Sequence, residues 1–204
     1  MTILEAEFWD GRYAEGSDGW TLDGPPHALL HQAIPQVEGS LRVLVPGAGQ
    51  GHDVFAWARA GHQVTALDFA PRAVRAMRER AEREQLEVEA IEADVTAPPA
   101  RLRGGFDLIW EQTCLCALAP AQRRPYLEAM RELLAPEGRM CALLWNNGRE
   151  GGPPYDLPDA LIEQLVEGLF GVERHEAVDD ELHQRKGQKL WWLRPLVRES
   201  ARAG

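Results

Sequence analysis

Apolar residues fall into short runs bounded by Gly, Pro or Asp, and charged stretches of helical period separate the runs. Val43-Leu44-Val45 stops at Pro46, residues 64–67 end on Asp68, and Val88 to Val95 alternates apolar with acidic positions. With the runs at 106–112 and 139–145, these predict strands over 42–46, 63–68, 88–94, 106–112 and 139–145. The stretches between them predict helices over 51–60, 71–84 and 120–134. The last starts after Pro120, sets Leu127, Met130, Leu133 and Leu134 on one stripe, and is ended by Pro136-Glu137-Gly138. A Gly/Pro-rich loop after Trp145 leads to a helix over 157–168, then to strands over 171–178 and 189–196 that can pair as a closing hairpin around the charged segment 179–187. The alternation predicts an α/β fold, a doubly wound, mostly parallel seven-stranded sheet with helices on both faces.

Residues 1–40 read differently. Glu7 to Tyr13 predicts a short helix with Trp9 and Tyr13 on one face, broken at 16–19. Trp20, a Gly24-Pro25-Pro26 turn and a short helix over 27–37, cut by Pro35, follow. The expected organisation is one domain over 1–204, with a leader at 1–40, a core at 41–196 and a fraying last stretch.

The strand–turn–helix–strand at 42–68 carries the chemistry. Gly47-Ala48-Gly49-Gln50-Gly51 follows the first strand, and Asp68-Phe69 follows the second. Glycines let a backbone approach a ligand closely, and an acid at the strand tip can accept both hydroxyls of a ribose. A dinucleotide turn reads G-x-G-x-x-G; here His52 follows a G-x-G-x-G spacing, which suits S-adenosylmethionine, although a dinucleotide stays open. Asp94 and Val95 end the third strand, where the carboxylate can accept from an adenine amino group and the Val95 N–H can donate to a ring nitrogen. Asp94 also suits a helix N-cap.

Composition narrows the partners. The 204-residue chain has a net charge of −10 and no basic run long enough to follow a phosphate backbone, so nucleic acid is not expected as a substrate. No stretch reads as a signal peptide or membrane span, and a cytoplasmic monomer acting on a small molecule is the expectation. Cys114, Cys116 and Cys141 have no zinc spacing and read as buried reduced thiols; no metal is expected.

The chain resembles the thiopurine S-methyltransferase superfamily, in particular its thiol, thiocyanate and halide methyltransferase branch. The residues carrying the resemblance are Phe8-Trp9-Asp10-x-Arg12-Tyr13 with Gly19-Trp20, the VPGAGQGHDV turn, Phe106 to Leu118, Glu132 to Gly138, Gly151-Gly152-Pro153-Pro154-Tyr155 and Arg185-Lys186-Gly187. The resemblance implies a Rossmann-like class I methyltransferase using S-adenosylmethionine. Trp9, Tyr13 and Trp20 would form an N-terminal lid, Gly47 and Gly49 the turn under the methionine part, Asp68 and Phe69 the ribose side, and Asp94 and Val95 the adenine side. Gln112 would face the sulfonium, although relatives carry Tyr or Arg at this place, and Tyr13 stands where plant relatives tend to have Trp.

Aromatic faces attract a cationic sulfonium, while Trp9 and Trp20 also suit plain core anchors. On the acceptor side the candidates are Trp20, Glu111, Gln112, Tyr155 and Arg185. Glu111 can orient an acceptor amino group or accept from neighbouring backbone N–H groups. Arg185 can bind an anion or stay solvated beside Lys186. The function expected is methyl transfer to a small nucleophile, a thiol or related soft anion. N-methylation of a small imidazole or amino acid, an NAD(P)-dependent reductase and a catalytically silent cofactor-binding protein are the alternatives.

Overall fold

The computed structural model describes residues 6–16, 30, 39–178 and 186–196. After helix α1 (Ala6–Ala14) the core alternates β1 (Arg42–Pro46), α2 (His52–Arg59), β2 (Gln63–Asp68), α3 (Pro71–Glu84), β3 (Val88–Glu92) and β4 (Phe106–Gln112). Helix α4 (Pro120–Leu133), β5 (Leu134–Trp145), α5 (Asp159–Val166), β6 (Phe170–Ala177) and β7 (Gln188–Pro195) complete it. The seven strands form one sheet in the order β3-β2-β1-β4-β5-β7-β6. The first five are parallel, and β7 runs antiparallel to both β5 and β6, so the expected closing hairpin is present.

Side chains alternate across a strand, so each strand feeds two cores. Val43, Val45, Leu108 and Trp110 pack with Val54, Phe55, Trp57, Val74 and Met77 from α2 and α3. Leu44, Ile109, Ala142 and Leu144 pack on the other face with Tyr126, Leu127 and Met130 of α4 and Ile162 and Val166 of α5. The three cysteines are free and buried.

Strand β3 stops at Glu92, two residues short of the expected end, and two other elements differ more from the sequence reading. Strand β5 begins at Leu134, directly after α4, and Pro136-Glu137-Gly138 lies inside it. The register jumps there, from Phe106 opposite Leu134 to Leu108 opposite Arg139, so the expected turn is an irregularity in a continuous strand. Helix α5 covers only Asp159–Val166, because Pro158 starts it and Gly168 takes a φ of +70° just past its end. The expected helix over 27–37 lies outside the described residues apart from Leu30. Among the described residues no helix is long and apolar enough to cross a membrane.

Candidate functional site

The tips of five parallel strands converge on a cavity of about 360 Å³. Ligands of open α/β sheets sit at this end, outside the strand C-termini. The sheet order puts the lining residues in sequence across the edge: Asp94 and Val95 after β3, Asp68 and Phe69 at β2, Gly47 after β1, Thr113 and Cys114 after β4, Trp145 and Arg149 at β5. Four strand spacings make this floor about 19 Å long.

Asp68 is almost fully buried, and both its carboxylate oxygens are already engaged. Oδ2 accepts from the Gly49 N–H at 2.8 Å, and Oδ1 accepts from the Ala70 N–H at 2.9 Å. The carboxylate also lines the cavity, so it can hold the glycine turn and still accept from a ligand. Burial raises its pKa against the opposing pull of the Ala70, Gly49 and Phe69 amides. Asp94 is exposed; its Oδ1 accepts from the Thr96 N–H at 2.7 Å and the Thr96 hydroxyl at 2.8 Å. It therefore caps a turn rather than a helix, with its second oxygen open.

Helix α1 lies over the cavity and lines it with Phe8, Trp9, Arg12 and Tyr13. Its docking is built on Asp10. Helix α3 begins at Pro71 with no capping side chain of its own. Asp10 Oδ1 accepts the orphan Arg72 N–H at 2.8 Å, and Oδ2 pairs with Arg72 Nε at 2.9 Å. A Cβ built on Gly49, where φ is +54°, would stand 2.8 Å from the Tyr13 hydroxyl. Glycine is thus needed there both for the turn and for the approach of Tyr13.

Of the acceptor-side candidates, Glu111 and Tyr155 support the wall of the cavity without lining it. Alternation along β4 turns Glu111 to the α4 face, where it is fully buried. Its Oε1 accepts from the Cys114 and Leu115 N–H groups, each at 2.8 Å, and its Oε2 is buried without a hydrogen bond. Burial raises this carboxyl to about 7, against those two amides. Burial also holds the adjoining Cys114 thiol and Tyr126 phenol well above their ordinary values. The backbone reading of Glu111 is the one the geometry matches. Tyr155 is buried under the Arg123 guanidinium, 5.2 Å from its ring centroid, and its N–H donates to the Cys116 carbonyl at 2.7 Å. That bond sets Pro153 and Pro154 against the cavity. Gln112 does not line it either, and its Oε1 is buried without a hydrogen bond. Trp20 and Arg185 lie outside the described residues.

Several lining residues were not singled out in the sequence. Cys116, Ala117, Leu118, Gln122, Trp145 and Arg149 join the cavity from the segment after β4, from α4, from the end of β5 and from the loop after it. Thr113 has φ +63°, a left-handed value that a β-branched residue adopts rarely. The signal available was position: all but Gln122 lie at or shortly after a strand tip on the same edge as Gly47.

A family profile described as thiopurine S-methyltransferase matches residues 4–200. The probable thiol methyltransferase 2 of Arabidopsis thaliana is 31% identical over 194 residues, covering 89% of this chain and 81% of the relative. Thiocyanate methyltransferase 1 of the same plant is 33% identical over 167 residues, covering 80% of this chain and 72% of the relative. The crystal structure of Burkholderia thailandensis 1,6-didemethyltoxoflavin-N1-methyltransferase, with 1,6-didemethyltoxoflavin and S-adenosylhomocysteine bound, shares the fold. Its TM-score is 0.72 at 21% identity, over 94% of this chain and 87% of that one. The chain belongs to the thiopurine S-methyltransferase family and is a methyltransferase.

Proposed function

We propose that this enzyme transfers the methyl group of S-adenosylmethionine to a small thiol or related soft anion. The observation that carries the reading is the order of groups across the cavity floor. Acids stand at the β2 and β3 tips, a glycine turn at β1, and a less acidic pocket at β4 and β5. S-adenosylmethionine is the methyl donor. Asp68 accepts its ribose hydroxyls, with Phe69 beside it, and Asp94 and Val95 hold the adenine edge. Gly47 and Gly49 shape the turn under the methionine part, and Trp9 and Tyr13 close over the cofactor as a lid. Trp20 would extend that lid.

The reaction is an in-line displacement. A lone pair on the acceptor sulfur forms the new S–CH3 bond as the sulfonium S–CH3 bond breaks, and its electron pair stays on the departing sulfur of neutral S-adenosylhomocysteine. The methyl is already activated, so the protein contributes mainly proximity and alignment. A thiolate or anion needs no base at the moment of transfer. Cys116, Leu118, Gln122, Trp145 and the Pro153-Pro154 turn surround the acceptor in this reading. The cavity volume suits a small molecule.

The test is a screen with labelled S-adenosylmethionine against small thiols, thiocyanate, iodide, chalcogen oxyanions and thio-imidazoles, with the product identified by mass spectrometry and NMR. An S-methyl product is expected. A methyl group found on nitrogen, or reduction with NAD(P)H, overturns the assignment.

A further inference from the structure

Two cations line the cavity, Arg12 on α1 and Arg149 on the loop after β5. Along the strand tips Asp68 and Asp94 stand at β2 and β3, whereas Arg149 lies on the other side of Gly47, at the β5 end. The Arg149 guanidinium lies over the Trp145 ring, 5.6 Å from its centroid. The loop that carries it is tied down at three points. Asn147 and Gly148 N–H groups donate to Asp156 Oδ1 at 2.7 and 3.0 Å, and the Arg149 N–H donates to Asn147 Oδ1 at 2.8 Å. Ion pairs engage Arg42, Arg59, Arg72, Arg101 and other cations across the surface. Among the described residues none engages Arg149, although the whole chain carries a net charge of −10. It is an exposed cation at the cavity, set over the Trp145 ring and, among the described residues, without an ion-pairing carboxylate.

We infer that Arg149 determines acceptor specificity by holding the negative charge of an anionic acceptor at the β5 end of the cavity. The inference rests on the proposed S-methyl transfer. The acceptors it selects are soft anions: ones whose charge sits on the nucleophile, as in thiocyanate, or on a carboxylate beside it, as in a mercaptocarboxylate. A guanidinium binds either through charge-assisted hydrogen bonds.

The reaction fixes how this binding shows in kinetics. Where the charge sits on the nucleophile, as in thiocyanate, it fades towards the transition state, so loss of Arg149 raises KM without lowering kcat. A carboxylate keeps its charge in the methylated product, so there loss of Arg149 raises KM and leaves kcat unchanged.

The experiment compares wild type, Arg149→Ala and Arg149→Lys with thiocyanate, mercaptoacetate and 2-mercaptoethanol, the last being largely a neutral thiol at about pH 7. For Arg149→Ala, KM for both anions is expected to rise about tenfold, with kcat within about twofold for mercaptoacetate and unchanged or raised for thiocyanate, and KM for 2-mercaptoethanol is expected to stay within about twofold. The Lys variant keeps the charge and is expected to keep most of the anion affinity. S-adenosylhomocysteine affinity, read by calorimetry, is expected to be unchanged. A shift for mercaptoacetate alone places the recognised charge on the carboxylate; a shift for both anions places it on or beside the nucleophile. Equal changes for all three acceptors, or none, overturn the role of Arg149 while leaving sulfur methylation intact. A wild-type enzyme that methylates none of them overturns the functional reading itself, and this inference with it.

Discussion

Gly47 and Cys114 meet at the centre of the cavity floor: a Cβ built on Gly47 would stand 2.7 Å from Cys114 Sγ and 3.0 Å from Cys114 Cβ. Gly47 also has φ +60°, so a side chain there is strained by the backbone and blocked by the neighbouring strand tip. Gly47→Ala is expected to lower stability by about 2–4 kcal/mol, the sum of a left-handed alanine and an overpacked contact. Removing Sγ with Cys114→Ala in that background should recover part of the loss, because the φ strain and the Cβ contact remain. Urea denaturation of the four members of the cycle measures it. Additive effects, with no coupling beyond about 0.5 kcal/mol, would show that the two positions do not touch.

Asp68 joins the turn and the ligand through one carboxylate. Asp68→Ala leaves the buried Gly49 and Ala70 N–H groups without an acceptor and removes both proposed ribose contacts. Hydrogen bonds to a charged acceptor are worth about 1.5–3 kcal/mol each, so S-adenosylhomocysteine binding should weaken by about a hundredfold or more, together with a lower melting temperature. Calorimetry that returns wild-type affinity would sink the ribose assignment, whatever happens to stability.

Much of the core was legible because its strands and helices follow simple rules. β1, β2, β4 and α3 keep the expected bounds: their apolar runs are short, strongly patterned and closed by Pro46, Asp68, Gln112 and Ala70-Pro71. β5 was only half legible, since Pro136-Glu137-Gly138 has turn composition and only the register against β4 shows that the strand runs through it. Gly47, Asp68 and Asp94 could be placed at the cavity for a similar reason, as each stands at or just past the end of a predictable strand. The places of Glu111 and Arg149 could not. The side-chain direction of Glu111 depends on which face α4 covers, and Arg149 reaches the cavity only because the sheet order brings the β5 tip beside β4. Nothing local in the sequence encodes either relationship.

The contact between Asp10 and Arg72 should govern the lid. Asp10 supplies the cap that α3 lacks, and through it α1 carries Trp9 and Tyr13 over the cavity. Arg72 is more than half exposed, so the ion pair itself contributes little; the cap is the larger part. Asp10→Ala should cost about 0.5–2 kcal/mol and weaken cofactor binding several-fold, while Asp10→Asn, which keeps the acceptor, should lose less. Hydrogen exchange over residues 6–16 should speed up in the Ala variant. Unchanged exchange there would mean that α1 is held by other contacts.

Glu111 makes a pH-dependent prediction whose sign follows from its burial. Its carboxyl is raised to about 7 in the folded protein, from an ordinary 4.5. Between those values the folded chain holds a proton that the unfolded chain has released. Its contribution is fully present below 4.5, falls as pH rises towards 7, and levels off above, a total of about 3 kcal/mol. The adjoining Cys114 and Tyr126 stay protonated throughout, so neither obscures the titration. Glu111→Gln should therefore lose this slope and gain on the wild type between about pH 5 and 8. The same group should tell the two forms of the cofactor apart. A sulfonium near Gly47 and Cys114 favours the ionised carboxyl, whereas the neutral demethylated product does not. Wild-type preference for S-adenosylmethionine over S-adenosylhomocysteine should then increase from about pH 6 to 8, and the Gln variant should show no such change. Parallel pH profiles for the two ligands in the wild type would place the sulfonium too far from Glu111 to be felt.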